Sequence, residues 1–338
     1  SPYTELFFKS TFQQGQNLDA TLAINTSPKF NIAVSFKGFR SLGKYLSSLS
    51  RARQFRLSSQ YQTYNHRYRL RIHQTTQSLE NQANGGLTNE SDYFFKNAPN
   101  YVNADEQGNP ILDENGNEQI VFYDGFLDRN RLETHLKADN VLSGKRYFME
   151  HRYQMFPVAK DTTVYKMALG YRASLENKTY QYTQSRPGLY FYETYETSSI
   201  DDTTIFNTLE NNLFLSFKDK TLGLLNLDLY HHSWNYSTGP NEYEKDSILS
   251  NEINASQVAV QARLEKEIFG ITSQASVYQS LKNEYSTQAL RINLSRKIIK
   301  DIILGASYNY RSQPLNFNFG LVQSDFREYN WENNSLEN

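Results

Sequence analysis

Phe30-Asn31-Ile32-Ala33-Val34-Ser35-Phe36-Lys37-Gly38-Phe39 opens with strict alternation: Phe30, Ile32, Val34 and Phe36 against Asn31, Ala33, Ser35 and Lys37. A helix would space its apolar residues three and four apart. Only an extended chain, whose side chains point to opposite faces in turn, sorts this stretch into one apolar and one polar face. The same period flanks it. Upstream, Leu18, Ala20, Leu22 and Ile24 alternate with Asp19, Thr21, Ala23 and Asn25. Downstream, Phe55, Leu57, Ser59 and Tyr61 alternate with Arg56, Ser58, Gln60 and Gln62, and then Tyr68, Leu70 and Ile72 interleave with Arg67, Arg69, Arg71 and His73.

Further segments of this kind lie near residues 3–12, 131–138, 146–155, 164–175, 205–217, 222–231, 256–264, 269–279, 288–295, 302–310 and 315–323. They run about 9–12 residues, long enough to cross a bilayer on a tilt, where soluble strands average about 5–6. Aromatic residues gather towards their ends, as with Phe36 and Phe39, Tyr61 and Tyr64, and Tyr308 and Tyr310. Interfacial girdles put them there. Short turns are expected at 25–29, 64–67, 218–221 and 296–301, and long polar loops at about 76–130, 177–204 and 232–252. Short turns on one side and long loops on the other describe an outer-membrane barrel. Strict up-and-down counting, however, puts loop 177–204 with the short turns. Either a crossing such as Tyr190–Tyr195 is missing, or one near 146–164 is superfluous.

Composition agrees with a wet interior. The 338 residues are 38% hydrophobic, yet 25 of those are Tyr. Mean hydropathy is −0.69, too low for a large dry core. Disordered chains are poor in aromatics, whereas this one is 14% aromatic and holds only 16 Gly and 8 Pro. With 35 Lys+Arg against 36 Asp+Glu, the net charge of −1 suggests no nucleic-acid partner. No cysteine is present, so disulfides and thiolate metal sites are excluded. Apolar runs stop at about four residues, far short of the ~18 of a membrane helix. The expectation is an all-β, transmembrane, antiparallel up-and-down barrel of about 14–18 strands, with long extracellular loops and short periplasmic turns, over 1–338 as a single domain.

Four stretches carry a family likeness: Ser35–Tyr45, Phe55–Tyr61, Asn65–Arg69 and Glu80–Gly86. Together they resemble the putative porin family of Bacteroidota, strongest over about residues 30–90. That resemblance implies an outer-membrane β-barrel of a Gram-negative bacterium. Its members are usually longer, so the sequence is expected to be a portion of a larger barrel.

The inward candidates are Arg56, Gln60, Gln62, Arg67, Arg69, Arg71 and His73, with Arg51 and Arg53 just before them. Each Arg at the lipid midplane would cost ~2–4 kcal/mol, so these cations must meet water or carboxylates. Two readings follow. They form a basic ladder lining a pore and favouring anions, or Glu150, Glu176 or Glu210 neutralise them in a lumen network. The lipid-facing candidates are Phe30, Ile32, Val34, Phe36, Leu70 and Ile72.

Asp113, Asn115 and Asn117 copy the opening of a calcium loop, but the sixth position is Glu118 in place of glycine, so an acidic surface hairpin is expected and no metal. His231-His232-Ser233 sets a base beside a hydroxyl, yet neighbours on a strand face opposite ways. No hydrolase, metalloprotease or phosphate-loop motif occurs. The sequence therefore points to a non-enzyme without cofactors: a porin-like channel for small polar solutes, its partners outer-membrane lipid and, in an alternative reading, other outer-membrane proteins of a secretion or barrel-assembly machine.

Overall fold

The computed structural model describes residues 2–11, 15–43, 45–97, 101–105, 107, 109–121, 132–156, 167–185, 193–195, 199–219, 221–240, 251–281, 285–299 and 302–333. Thirteen strands form one antiparallel sheet in which every strand pairs with its neighbour in sequence. They are β1 (Tyr3–Ser10), β2 (Gln16–Ser27), β3 (Phe30–Ser41), β4 (Ser50–Gln62) and β5 (Tyr68–Ala83). After a long excursion come β8 (Lys137–Gln154), β9 (Met167–Ser185), β10 (Ser199–Asp219), β11 (Gly223–Pro240), β12 (Glu252–Ile268), β13 (Ile271–Ser280), β14 (Gln288–Ile299) and β15 (Ile302–Ser312). The excursion holds helix α1 (Asn89–Asn97) and the two-residue strands β6 (Tyr101–Val102) and β7 (Ile120–Val121). Beyond β15 lie a helical turn, α2 (Phe317–Gly320), and the paired β16 (Leu321–Val322) and β17 (Trp331–Glu332).

Two expected strands are corrected. Segment 131–138 is no separate crossing: its last two residues begin β8, which continues through 146–154 as one strand. Segment 315–323 alternates at period two but folds as α2 and β16. Merging the first pair removes the superfluous crossing. The strand ends that flank 84–136, 186–198 and 241–251 now fall on one side of the sheet, and those that flank 28–29, 63–67, 220–222 and 269–270 on the other. The strands run further than alternation suggests, so the long connections are shorter than 76–130, 177–204 and 232–252.

Local chemistry explains the tight turns. Between β12 and β13, Phe269 and Gly270 both take positive φ (51° and 74°), as a two-residue hairpin that matches strand twist requires. Between β4 and β5, His66 is left-handed (φ 53°), and the Asn65 Oδ1 accepts the Arg67 amide at 3.1 Å.

The register sorts every strand into two faces. On one lie the buried side chains, apolar Ala138, Ala168, Ile200, Phe214, Tyr236, Ala255 and Ala259 together with polar Glu150, Gln184, Asn212, Asp228 and Gln257. On the other, large apolar groups stand open: Leu22, Ile72, Leu169, Leu213, Leu229, Val260, Leu264 and Val277 are 41–54% exposed. This inverts a soluble protein, which hides its Leu and Val. The buried face is the inner one and the greasy face the outer.

A single outward row shows the tilt. Tyr68, Tyr153, Leu169, Leu215, Leu227, Ala262, Val277, Leu290 and Tyr310 are successive cross-strand partners. The row starts at the turn end of β5 and finishes at the loop end of β15. Its eight strand steps, at about 4.8 Å each, cover ~38 Å. Climbing an apolar band ~25 Å tall over that distance requires strands tilted by roughly 40°, the inclination of membrane barrels.

Candidate functional site

On the inner face, β5 alternation places Arg69, Arg71 and His73 inward, and the register brings Gln62, Gln60 and Ser58 of β4 opposite them. Arg56 lies in the same face opposite Thr75. Six of the seven inward candidates therefore share one surface. Arg67 does not join them. Its Nε and Nη2 donate to the carbonyls of Gln154 (3.2 Å) and Met155 (2.9 Å), so it clamps the end of β8 to the turn. Arg51 and Arg53 depart further, for their odd parity in β4 matches Phe55 and sends them outward. The six lipid-facing candidates, Phe30, Ile32, Val34, Phe36, Leu70 and Ile72, all lie on the greasy face.

The arginine rows meet carboxylates from strands far away in sequence. Glu150 of β8 stands opposite Arg71, and its carboxylate lies 3.8 Å from Arg71 and 3.9 Å from Arg69. Arg172 of β9 donates Nε to Glu150 at 2.7 Å and approaches Asp228 of β11 at 3.9 Å. Arg263 of β12 and Asn212 of β10 complete the surroundings of Asp228, at 3.1 and 3.2 Å. The Asp228 side chain is only 1% exposed, so these partners carry its charge without water. A strip of alternating charge thus runs across the inner wall from β5 to β12. The Arg172 guanidinium also lies 4.2 Å from the centre of the Phe214 ring. That ring has room only because residue 170, directly opposite, is glycine: a Cβ there would stand 2.1 Å from Phe214.

Nearer the loops the balance changes. A cavity of about 560 Å³ is lined by Lys37, Arg56, His73, Arg146, Glu176 and Lys178, among others. Lys37 pairs with Asp19 (2.7 Å) and Lys178 with Glu176 (3.3 Å). Arg146 has Ser174 Oγ as its partner at 3.2 Å, and Arg56 has no ion pair among the described residues. Both flank Thr75 in one cross-strand row. Sequence reasoning passed over Arg146, Arg172 and Arg263. Parity from Glu150 inward would have found the first.

A second inner cavity, about 770 Å³, lies over β10 to β15 and is lined by Tyr230, His232, Trp234, Gln257, Tyr278 and Phe317, among others. His232 lies 3.5 Å from Glu210, the third of the carboxylates named as neutralisers. The segment after β15 folds back over this region. Phe317 sits among Phe206, Trp234, Tyr236 and Tyr285, with ring centres 5.7–6.3 Å away. Further along, Tyr236 Oη donates to the Leu321 carbonyl (3.1 Å) and the Asp325 amide to Asp202 (2.8 Å).

In the acidic loop, two aspartates cap backbone amides that follow them in the chain. Asp105 Oδ1 accepts the amides of Gln107 and Asn109, and Asp113 Oδ1 those of Asn115 and Asn117, at 2.8–3.0 Å. The backbone bond from Asn117, reinforced by that from Asn115, holds the Asp113 carboxyl below the usual range. One oxygen of Asp113 is thus committed to its own turn.

The putative porin family matches the chain over residues 1–338. No curated protein is similar in sequence. Among solved structures, the ferric enterobactin receptor of Pseudomonas aeruginosa is similar in fold: one variant in complex with enterobactin superposes with a TM-score of 0.52 at 11% identity, another with 0.51 at 12%. The match covers 91% of this chain and 43% of the receptor, so the chain spans less than half of the receptor's length. The fold is that of an outer-membrane β-barrel.

Proposed function

Since the chain belongs to the putative porin family, we propose that it forms a porin-like channel for small polar solutes in the outer membrane of a Gram-negative cell, with a preference for anions. The inner wall supports this reading. Over β3 to β9 it presents a cavity of about 560 Å³ in which Arg56 and Arg146 form no ion pair among the described residues, while Glu176, opposite Arg146, is taken by Lys178. In a water-filled, low-dielectric-walled passage, uncompensated cations concentrate anions, and salt weakens the effect over a Debye length of ~8–10 Å. Arg69 and Arg71 contribute less field than their number suggests, because Glu150 lies against both. The proposed channel needs no catalytic group and no cofactor.

Planar-bilayer recording of the full-length protein tests it. Replacing Arg56 and Arg146 by Gln should move the reversal potential towards cations. An unchanged reversal potential in a conducting protein removes these arginines from the permeation path. One observation favours a second reading, a non-conducting barrel subunit of a larger outer-membrane assembly: the segment after β15 packs against the inner wall of β10 and β11. Absence of conductance, with stoichiometric co-purifying proteins, would decide for the subunit.

A further inference from the structure

The outer face carries cations where its apolar band ends. Along β4 the outward residues from turn to loop are Tyr61, Ser59, Leu57, Phe55, Arg53 and Arg51; along β3 they are Phe30, Ile32, Val34, Phe36, Gly38 and Arg40. The register sets Arg40 directly opposite Arg51, and Arg53 opposite Gly38. Opposed residues lie about 4.5–5.5 Å apart at Cβ and diagonal ones roughly 7–8 Å, so the three guanidinium groups occupy one small area. Like charges directly opposite each other destabilise a sheet. Glu80, the β5 partner of Arg51, binds its guanidinium and offsets one of the three charges. Arg40 and Arg53 are exposed and have no ion pair among the described residues. The cluster therefore carries two positive charges in excess.

We propose that Arg40, Arg51 and Arg53 bind the phosphate monoester headgroup of a membrane lipid in the leaflet on the loop side. Position, geometry and charge agree. Phe36 and Phe55, cross-strand partners, end the apolar band immediately below the cluster, at the depth of an interfacial aromatic girdle. Guanidinium forks match phosphate oxygens in pairs. A phosphate monoester carries about −1.5 to −2 charges at neutral pH, which matches an excess of two. A diester carries only one negative charge and leaves part of the repulsion standing. The site lies on the opposite face from the proposed channel, so it does not depend on conduction.

The test uses the full-length protein in nanodiscs of phosphatidylcholine containing either phosphatidic acid, a monoester, or phosphatidylglycerol, a diester. Retained lipid is read by native mass spectrometry after detergent transfer. Wild type should retain phosphatidic acid in preference to both other lipids. Arg40→Gln or Arg53→Gln should each weaken that retention about tenfold, the effect of one charge-assisted contact. Lys266→Gln removes an outward cation near the turn end of β12 and should leave retention unchanged. Equal retention of the three lipids by wild type overturns the site, whether or not the variants fold. Equal retention of monoester and diester overturns the headgroup class. A loss in Lys266→Gln matching that in Arg40→Gln reduces the effect to general surface charge and overturns the assignment.

Discussion

Arg172 is the joint of the inner charge strip, and its replacement by Gln should be costly. The side chain makes a 2.7 Å charged hydrogen bond to Glu150, lies 3.9 Å from Asp228 and covers the Phe214 ring at 4.2 Å. Breaking a buried pair by removing one partner costs about 3–5 kcal/mol. Two features reduce this here. Arg172 is 34% exposed, and Glu150 keeps Arg69 and Arg71 within 3.9 Å while Asp228 keeps Arg263 at 3.1 Å. The expected loss is therefore about 2–3 kcal/mol, or roughly 30- to 150-fold in the folding equilibrium. Glu150→Gln alone should cost at least as much, because it leaves Arg69, Arg71 and Arg172 facing one another. The double variant should recover about 1–2 kcal/mol of the summed losses, since each substitution removes the charge that the other strands. Urea titration of the protein refolded into lipid bilayers, followed by the mobility difference between folded and unfolded barrel on gels, measures all three. Strict additivity of the two losses, or a loss below about 0.5 kcal/mol for Arg172→Gln, would refute the network as a mechanical unit.

Four further outcomes are expected. Val34→Arg puts a charge on the greasy face and should cost about 2–4 kcal/mol in the same titration, while Asn31→Arg, inward on the same strand, should be tolerated; equal damage would mean that the faces are reversed. Gly170→Ala drives a Cβ against Phe214 and the His151 carbonyl, 2.1 and 2.5 Å away, and should destabilise by about 1–3 kcal/mol, whereas Gly144→Ala, with nothing nearer than 3.6 Å, should be close to neutral. The Asp113 turn should be pH-sensitive. Its folded pKa is depressed, so its contribution is present above the unfolded value and is lost as pH falls through the folded one; the protection of the Asn115 and Asn117 amides, relative to their intrinsic exchange rate at each pH, should fall in acid, and a pH-independent protection factor would contradict this. Finally, single cysteines at Asn115 and His66 in this cysteine-free chain should be labelled from opposite sides of the membrane, and same-side labelling would overturn the strand alternation.

The sequence by itself determined the sheet and its faces, because strand alternation is local. Phe30 to Phe36, Phe55 to Tyr61 and Leu70 to Ile72 declare inside and outside without knowledge of any partner. Arg51 and Arg53 were legible too, since they share parity with Phe55; nearness in sequence to Arg56 drew them into the wrong row. Where alternation fails, the tertiary structure decides. Along β8, Ser143, Gly144, Lys145 and Arg146 give no apolar face to read, since this part of the strand lies beyond the apolar band on the loop side, where both faces are polar. Only pairing with β5 and β9 keeps the strand continuous there. Leu315, Phe317, Phe319 and Leu321 mislead in the opposite sense: their period is that of a strand, but four aromatic rings on other elements enclose Phe317 and set its fold. Which carboxylate meets which arginine was equally beyond reach. Glu150 lies 79 residues from Arg71, and Asp228 lies 56 from Arg172. Only the register of a continuous ladder, fixed by every strand between them, turns such distances in sequence into a few ångströms.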